Sequence, residues 1–170
     1  MKNEYPFSPN YFSVEGNTIH YVDEGQGNVI ILVHGNPTWS FYYRKLIKHL
    51  SKEHRVVAID HMGCGFSDKP QNYKYILENH INNLEKLMLH LNIQQFSLVV
   101  HDWGGAIGFG LAGRYPEKLQ SAVILNTAAF RSQAIPLRIS ICKIPVIGEF
   151  LVRACNGFAW PATFMAVEKT

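Results

Sequence analysis

Short hydrophobic runs alternate with amphipathic segments over most of the chain. Continuous runs rich in Val, Ile and Leu predict strands buried on both faces, and they occupy residues 29–33, 55–60, 96–100 and 119–125. Looser alternation predicts a leading hairpin over residues 12–21, and helical spacing predicts helices over residues 39–50, 77–91 and 104–115. In the second of these helices, we expect the polar residues Glu78, Asn82, Asn83, Glu85 and Lys86 to face outward. This order predicts an α/β fold with a doubly wound, mostly parallel sheet and helices on both faces.

The hydrophobic pattern changes after Ala129, where the strand–helix alternation stops. We therefore expect residues 1–129 to form a core and residues 130–170 to form helices of a separate layer, such as a lid over a site. Scattered charged residues, among them Arg138 and Arg153, interrupt this apolar segment. The sequence thus predicts no membrane span.

Composition and charge narrow the possible functions. Of the 170 residues, 47% are hydrophobic and 17% are charged, whereas an average globular protein has roughly 25% charged residues. We therefore expect a large core, or apolar surface that covers something. The net charge of +3 comes from dispersed Lys and Arg residues, so no nucleic-acid partner is expected. Three widely spaced cysteines are typical of reduced thiols in a cytoplasmic protein.

The segment Val100-His101-Asp102-Trp103-Gly104-Gly105 places an acidic side chain where a strand meets a Gly-rich helix start. This is the pattern of a nucleophile elbow, with Asp102 where esterases carry Ser. The pattern departs from G-x-S-x-G at Val100, and an Asp before a helix is by itself often an N-cap. A carboxylate is ionised near neutral pH and needs no activating base. Asp102 therefore indicates attack on a saturated carbon through an alkyl ester.

Such a displacement needs hydrogen-bond donors for the leaving group and for the oxyanion. Three loops are expected at the carboxyl edge of the sheet, where α/β folds bind ligands: residues 34–38, 61–70 and 101–105. Within them, Asn36 offers an amide N–H and Trp103 an indole N–H. The backbone N–H groups of the same two residues stand where an oxyanion hole is built.

Three motifs then occur in a fixed order: residues 34–38 (HGNPT), 60–70 (DHMGCGFSDKP) and 101–105 (HDWGG). Together they resemble the haloalkane dehalogenase family of α/β-hydrolases. The resemblance implies that Asp102 is the nucleophile and that Asn36 and Trp103 stabilise a halide. It also implies a small apolar substrate and a mechanism with neither cofactor nor metal.

Residues 125–130, 135–138 and 156–160 are similar to a branch of that family that acts in bacterial olefin biosynthesis. Enzymes of that branch decarboxylate β-lactones, and there Asp102 would expel a carboxylate instead of a halide. The resemblance allows a homo-oligomer or a complex of olefin-biosynthesis enzymes. Epoxide hydrolases share the elbow, but they typically have an aromatic residue in place of Asn36 and use lid tyrosines, and residues 130–170 contain no Tyr.

The family's catalytic base is a His after the last strand, and its acid lies beyond the lid or directly after the strand that precedes it. The second acid position here is Leu125-Asn126-Thr127, without a carboxylate, and the other positions would follow Thr170. We therefore expect the chain to be the N-terminal part of a family member, truncated within the helical cap. A catalytically incomplete fragment or partner subunit is the alternative.

Several other polar residues have structural interpretations. Asp60 and Asp68 are expected to stabilise loops, and His34 is expected to hold the oxyanion loop in place. His101 should point to the face of its strand opposite to Asp102. His61 lies near the predicted cleft, but we do not expect it to be a base.

Overall fold

A six-stranded mixed sheet with helices on both faces forms the first part of this computed structural model. The structure describes residues 4–127 and 137–157, and the chain divides into two compact units, 1–129 and 130–170. The strands are β1 (Asn10–Val14), β2 (Asn17–Glu24), β3 (Val29–Val33), β4 (Arg55–Ile59), β5 (Phe96–His101) and β6 (Leu119–Leu125). The helices are α1 (Arg44–Leu50), α2 (Leu77–His90), α3 (Trp103–Arg114), α4 (Leu137–Cys142) and α5 (Ile147–Arg153).

The strand order β1-β2-β4-β3-β5-β6 brings two loops of the candidate site together. The first two strands form the predicted antiparallel hairpin, and β4, β3, β5 and β6 are mutually parallel. Val33 at the end of β3 pairs with Val100 of β5. The chain therefore leaves both strands side by side at the carboxyl edge of the sheet, where α/β folds bind ligands.

Alternation along the central strands fills two separate cores. On β3, Ile31 and Val33 pack into the core beneath α2 and α3, whereas Leu32 packs into the core beneath α1. All three side chains are at most 1% exposed. Burial on both faces explains why these strands have continuous hydrophobic runs, and the doubly wound prediction is confirmed.

Strand β6 has the predicted bounds, but its predicted burial is wrong. It pairs with β5 on one side, and it is the last strand in the sheet order among the described residues. Val123 is 52% exposed and Ile124 is 58% exposed. A hydrophobic run cannot by itself distinguish a central strand from an edge strand, because it records composition and not which neighbours cover the strand.

Two details of the helices also differ from the prediction. The helix expected from residue 39 begins as a 3₁₀ turn over Ser40–Tyr43 before α1. Asn83 of α2, expected to face outward, is buried and donates a hydrogen bond of 2.9 Å to the Tyr73 hydroxyl. Because the Tyr73 hydroxyl accepts from the amide, burying this polar group costs less than it would without a partner.

The second unit contains two short helices, α4 and α5, within residues 137–157. Several of its apolar side chains face solvent, and Val146 is 79% and Phe150 64% exposed. Arg153 and Glu149 form an ion pair of 3.0 Å one helical turn apart. In the parts of the chain that the structure describes, no helix is long and apolar enough to cross a membrane. Residues 128–136 and 158–170 lie outside the description, and the assignment of this unit as a lid stays a prediction.

Candidate active site

Asp102 connects β5 to α3 in a strained conformation. Its φ of 52° and ψ of −128° are rare for residues other than glycine, and such strain costs about 1–3 kcal/mol and is concentrated at functional sites. The Asp102 carbonyl accepts hydrogen bonds from the Gly105 N–H at 3.0 Å and from the Thr127 hydroxyl. The Asp102 side chain makes no capping hydrogen bond to α3, which argues against the N-cap interpretation.

The Asp102 carboxylate lies against the loop that follows β3. The Asn36 backbone N–H donates to Asp102 Oδ1 at 3.0 Å, as expected for one half of an oxyanion hole. This approach requires a glycine before Asn36, because a β-carbon on Gly35 would overlap the carboxylate. In the described structure, Oδ2 accepts no hydrogen bond from protein, so it is the oxygen available for attack on a substrate.

An open pocket of about 510 Å³ adjoins this carboxylate. Trp103, the first residue of α3, also lines the pocket and is 46% exposed. The residues that line the pocket are Leu77, Asp102, Trp103, Ala106, Asn126 and Thr127. The structure thus brings the predicted nucleophile and one predicted donor into the same pocket, with a mixture of polar and apolar walls.

The departure from the G-x-S-x-G pattern at Val100 is accommodated by helix α3. Val100 is fully buried, and a β-carbon added at Gly108 would lie 2.7 Å from Val100 Cγ1. Gly108 therefore provides the room that the missing glycine of the motif would otherwise give. The sequence contains both residues, but only the packing of α3 on β5 brings Gly108 against the Val100 side chain.

The Asn36 side chain is oriented by Cys64, a residue that the sequence analysis assigned no role in the site. The Cys64 thiol donates to Asn36 Oδ1 at 3.6 Å. Burial raises the pKa of Cys64, which keeps the thiol protonated and able to donate. With its oxygen engaged, Asn36 has its NH₂ group free to donate to a ligand. No feature of the motif marks Cys64, because its role depends on a contact between two loops.

Asp60 and Asp68 have the predicted structural roles. Asp60 is fully buried and accepts hydrogen bonds from the Ser40 N–H at 2.8 Å, the Phe66 N–H at 2.9 Å and His20 Nδ1 at 2.9 Å. Burial by itself would raise the pKa of Asp60, but these hydrogen bonds outweigh it and lower the pKa. Asp68 accepts from the Thr18 N–H at 2.7 Å.

The predicted role of His34 in holding the oxyanion loop is also confirmed. His34 Nδ1–H donates to the Gly35 carbonyl at 2.8 Å, and its Nε2 accepts from the His61 backbone N–H at 3.0 Å. His61 Nε2–H in turn donates to the His34 carbonyl at 3.1 Å. These hydrogen bonds fix His34 as a neutral imidazole, and burial lowers the pKa of His61 well below its ordinary value. On the next strand, His101 stacks on Tyr42 at a ring-centroid distance of 4.5 Å, consistent with its expected orientation away from Asp102.

A comparison with protein families decides the identity of this fold. The family model described as alpha/beta hydrolase fold matches residues 28–139. The chain belongs to the α/β-hydrolase fold family. The matched range includes all three sequence motifs.

Two relatives show which branches of the α/β-hydrolase family this chain is similar to. It is 46% identical over 170 residues to a cis-3-alkyl-4-alkyloxetan-2-one decarboxylase of Shewanella oneidensis, covering 96% of this chain and 54% of that protein. It is 38% identical over 123 residues to haloalkane dehalogenase 2 of Mycobacterium tuberculosis, covering 72% of this chain and 43% of that protein. The expected resemblance to both branches is confirmed.

A solved structure agrees with these relatives. Haloalkane dehalogenase DatA from Agrobacterium tumefaciens C58 matches this α/β-hydrolase with a TM-score of 0.83 at 28% identity, covering 92% of this chain and 55% of that one. The chain spans about half the length of the relatives that it matches. The α/β-hydrolase fold is therefore shown, whereas the catalytic roles of Asp102, Asn36 and Trp103 are proposals.

No histidine lines the Asp102 pocket of this α/β-hydrolase in the described ranges 4–127 and 137–157. His61, the histidine expected near the cleft, is 3% exposed and packs against the rings of His34 and His80. The same ranges contain no cluster of His, Cys, Asp or Glu that could hold a metal ion. In the described ranges, the pocket therefore contains the Asp102 carboxylate and Trp103 but no histidine.

The buried histidines of this α/β-hydrolase make a pH-dependent contribution to its stability. Burial lowers the pKa values of His34, His61 and His80. Below the ordinary histidine pKa of about 6.5, the unfolded chain binds protons that the folded chain does not. The free energy of unfolding should therefore fall as the pH falls below this value, by about 1.4 kcal/mol per pH unit for each histidine that stays neutral.

Urea unfolding at several pH values between 5 and 8 measures this slope. We expect His61→Gln, which keeps an N–H donor but cannot titrate, to reduce the slope. The matched control is His49→Gln on the exposed face of α1, which should leave the slope as it is in the unsubstituted chain. A His61→Gln slope equal to that of the control would contradict the assignment of His61 as a buried neutral group.

Proposed function

We propose that this α/β-hydrolase decarboxylates a β-lactone, with Asp102 as the nucleophile and a cis-dialkyl oxetan-2-one as the substrate class. The observation that carries the proposal is the Asp102 elbow, in which Oδ1 accepts from the Asn36 N–H and Oδ2 accepts no hydrogen bond from any described residue. The choice of substrate is supported by the extent of the likeness. Identity to the oxetanone decarboxylase extends over 96% of the chain, against 72% for the dehalogenase.

The first step is displacement at the saturated ring carbon that is bonded to the ring oxygen. A lone pair of Asp102 Oδ2 forms a bond to this carbon, and the ring carbon–oxygen bond breaks with its electron pair remaining on the ring oxygen. The product is an alkyl ester of Asp102 with a free carboxylate on the neighbouring carbon. No proton moves, and relief of ring strain favours opening. The indole N–H of Trp103 and the NH₂ of Asn36 would donate to the departing oxygen.

The second step releases the product and restores the nucleophile. The bond between the neighbouring carbon and its carboxylate breaks, and its electron pair forms the double bond to the carbon that is esterified to Asp102. The ester bond to Asp102 breaks with its electron pair returning to the Asp102 carboxylate, and CO₂ leaves. The two steps convert the lactone into an alkene and CO₂ and use no water, base, oxidant or reductant. Inversion followed by anti elimination gives a cis alkene from a cis lactone.

Haloalkane dehalogenation is the second candidate. It is favoured by the donor pair of Asn36 and Trp103, since two N–H groups suit a single halide ion. That reaction also begins with an alkyl ester of Asp102, but it requires a base-activated water to hydrolyse the ester. Epoxide opening is less favoured, because Asn36 stands where epoxide hydrolases typically carry an aromatic residue.

Product analysis with paired substrates tests this proposal. The chain is incubated with a synthetic cis-3,4-dialkyl oxetan-2-one and, separately, with a 1-bromoalkane of similar length. We expect cis alkene and CO₂ in equal amounts and in many turnovers from the lactone. A β-hydroxy acid as the lactone product, or halide release in many turnovers with no reaction of the lactone, would overturn the proposal.

The same proposal concerns the substrate, the location and the partners of the enzyme. A small apolar substrate fits a pocket that combines Leu77 and Ala106 with polar groups. A cytoplasmic location, a homo-oligomer and a complex of olefin-biosynthesis enzymes stay predictions.

A further inference from the structure

We propose that Asn126 is a further catalytic residue, whose side-chain amide donates a hydrogen bond to the carboxylate released from the lactone ring. This inference rests on the proposed lactone substrate and goes beyond it by naming a residue that favours lactones over haloalkanes. Asn126 follows β6 directly and lines the same pocket as Asp102 and Trp103.

The backbone of Asn126 has a positive φ directly after β6. Its φ of 40° lies in the left-handed region, which asparagine tolerates better than most residues. In the part of the chain that the structure describes, its side-chain amide makes no hydrogen bond with another residue. A polar group in the candidate pocket is therefore available to a ligand.

Thr127 fixes the loop at Asn126 against the nucleophile. The Thr127 hydroxyl donates to the Asp102 carbonyl, and a β-carbon on Gly105 would overlap the Thr127 side chain. The residue after Asn126 is thus in direct contact with both ends of the elbow turn. Thr127 therefore ties the segment that contains Asn126 to the turn that contains Asp102.

The chemistry of the leaving group explains why a third donor matters. A halide is one atom, and the two N–H donors of Asn36 and Trp103 suffice for it. A carboxylate has two oxygens with about four acceptor sites, so its second oxygen needs another donor. An amide meets that need without charge, whereas a carboxylate side chain at this position would repel the carboxylate that forms.

Two substitutions of nearly the same size test the role of Asn126. Asn126→Leu removes the donor, and Asn126→Asp replaces it with a negative charge. Since a hydrogen bond to a charged group changes a rate by about 10- to 100-fold, we expect Asn126→Leu to lower kcat for lactone decarboxylation by about that factor, and Asn126→Asp by more. The rate at which a 1-bromoalkane alkylates Asp102, followed by intact-protein mass, should change less than about threefold in Asn126→Leu.

Asn92 provides a matched control for the backbone. It also has a positive φ, of 52°, is exposed at the end of α2 and does not line the pocket. Asn92→Leu places a leucine in a similar left-handed conformation and so has a similar backbone cost, but it should leave both rates unchanged.

Equal losses with lactone and bromoalkane in Asn126→Leu, or no loss with either, would overturn the role of Asn126 while leaving the proposed function intact. An unsubstituted chain that does not decarboxylate the lactone would overturn the proposed function, and the role of Asn126 with it.

Discussion

Asp102→Ala is expected to reduce lactone decarboxylation by roughly 10⁴- to 10⁶-fold, the range seen when a covalent nucleophile is removed. The expected loss is this large because every bond change in the proposed reaction passes through the ester on Asp102. The other groups in the pocket donate hydrogen bonds and cannot replace a covalent step. Release of CO₂ and alkene is measured over hours at high protein concentration, so that the strongly reduced rate of Asp102→Ala can still be detected.

Asp68→Ala is the matched control for this substitution. Asp68 accepts a hydrogen bond from the Thr18 N–H and lies outside the Asp102 pocket. Asp68→Ala should lower the free energy of unfolding and leave kcat within about tenfold, because a lost hydrogen bond in an exposed loop costs about 0.5–1.5 kcal/mol. Activity above about 1% in Asp102→Ala, in a protein with an unchanged unfolding midpoint, would exclude Asp102 as the nucleophile.

A haloalkane is expected to modify the 170-residue chain once and then inhibit it. The first step, displacement of halide by Asp102, needs only the carboxylate and the leaving-group donors. Hydrolysis of the ester needs a general base, and no histidine lines the pocket in the described residues. With an excess of 1-bromoalkane we therefore expect one alkyl group per chain and one equivalent of halide. A chain that has not been treated with the bromoalkane should still convert the lactone in many turnovers, because the elimination step restores the Asp102 carboxylate without water.

Intact-protein mass and peptide mapping distinguish this ester from other adducts. The described residues include three free cysteines, Cys64, Cys142 and Cys155, which are the competing targets. The ester should map to the peptide that contains Asp102, disappear on treatment with mild base and be absent from Asp102→Ala, whereas thioethers should persist in both proteins. Halide release that continues beyond one equivalent would show that a base acts on the ester and would favour dehalogenation.

Most elements of the core were predictable from local pattern. The bounds of β3 and β6 agree with the prediction, since each strand coincides with an uninterrupted hydrophobic run. The strand–helix alternation predicts the doubly wound order, because connections between parallel strands follow few allowed topologies. The burial of β6 and of Asn83 was not predictable, because both depend on partners that are distant in the sequence.

The residues of the candidate site also fall into those that the sequence identifies and those that only the structure identifies. Asp102, Asn36 and Trp103 are identifiable from motifs, since each motif is a short segment with its own turn chemistry. The positions of Cys64, Thr127 and Asn126 in the site are not, because the folded chain brings each of them to a residue that lies 24 to 28 positions away in the sequence. Val100, which looks like a defect in the motif, is explained by Gly108 once α3 packs on β5.

The sequence by itself determined the fold class, the elbow and the family resemblance, because hydrophobic period, turn residues and motif order are local properties of a chain. Only the tertiary structure decided how Asp102 is held. The Asn36 N–H reaches its Oδ1 and the Thr127 hydroxyl reaches its carbonyl, because β3, β5 and β6 are neighbours at one edge of the sheet. Hydrogen-bond energy depends on distance and angle between groups, and for groups far apart in sequence only the packing of the sheet sets these quantities.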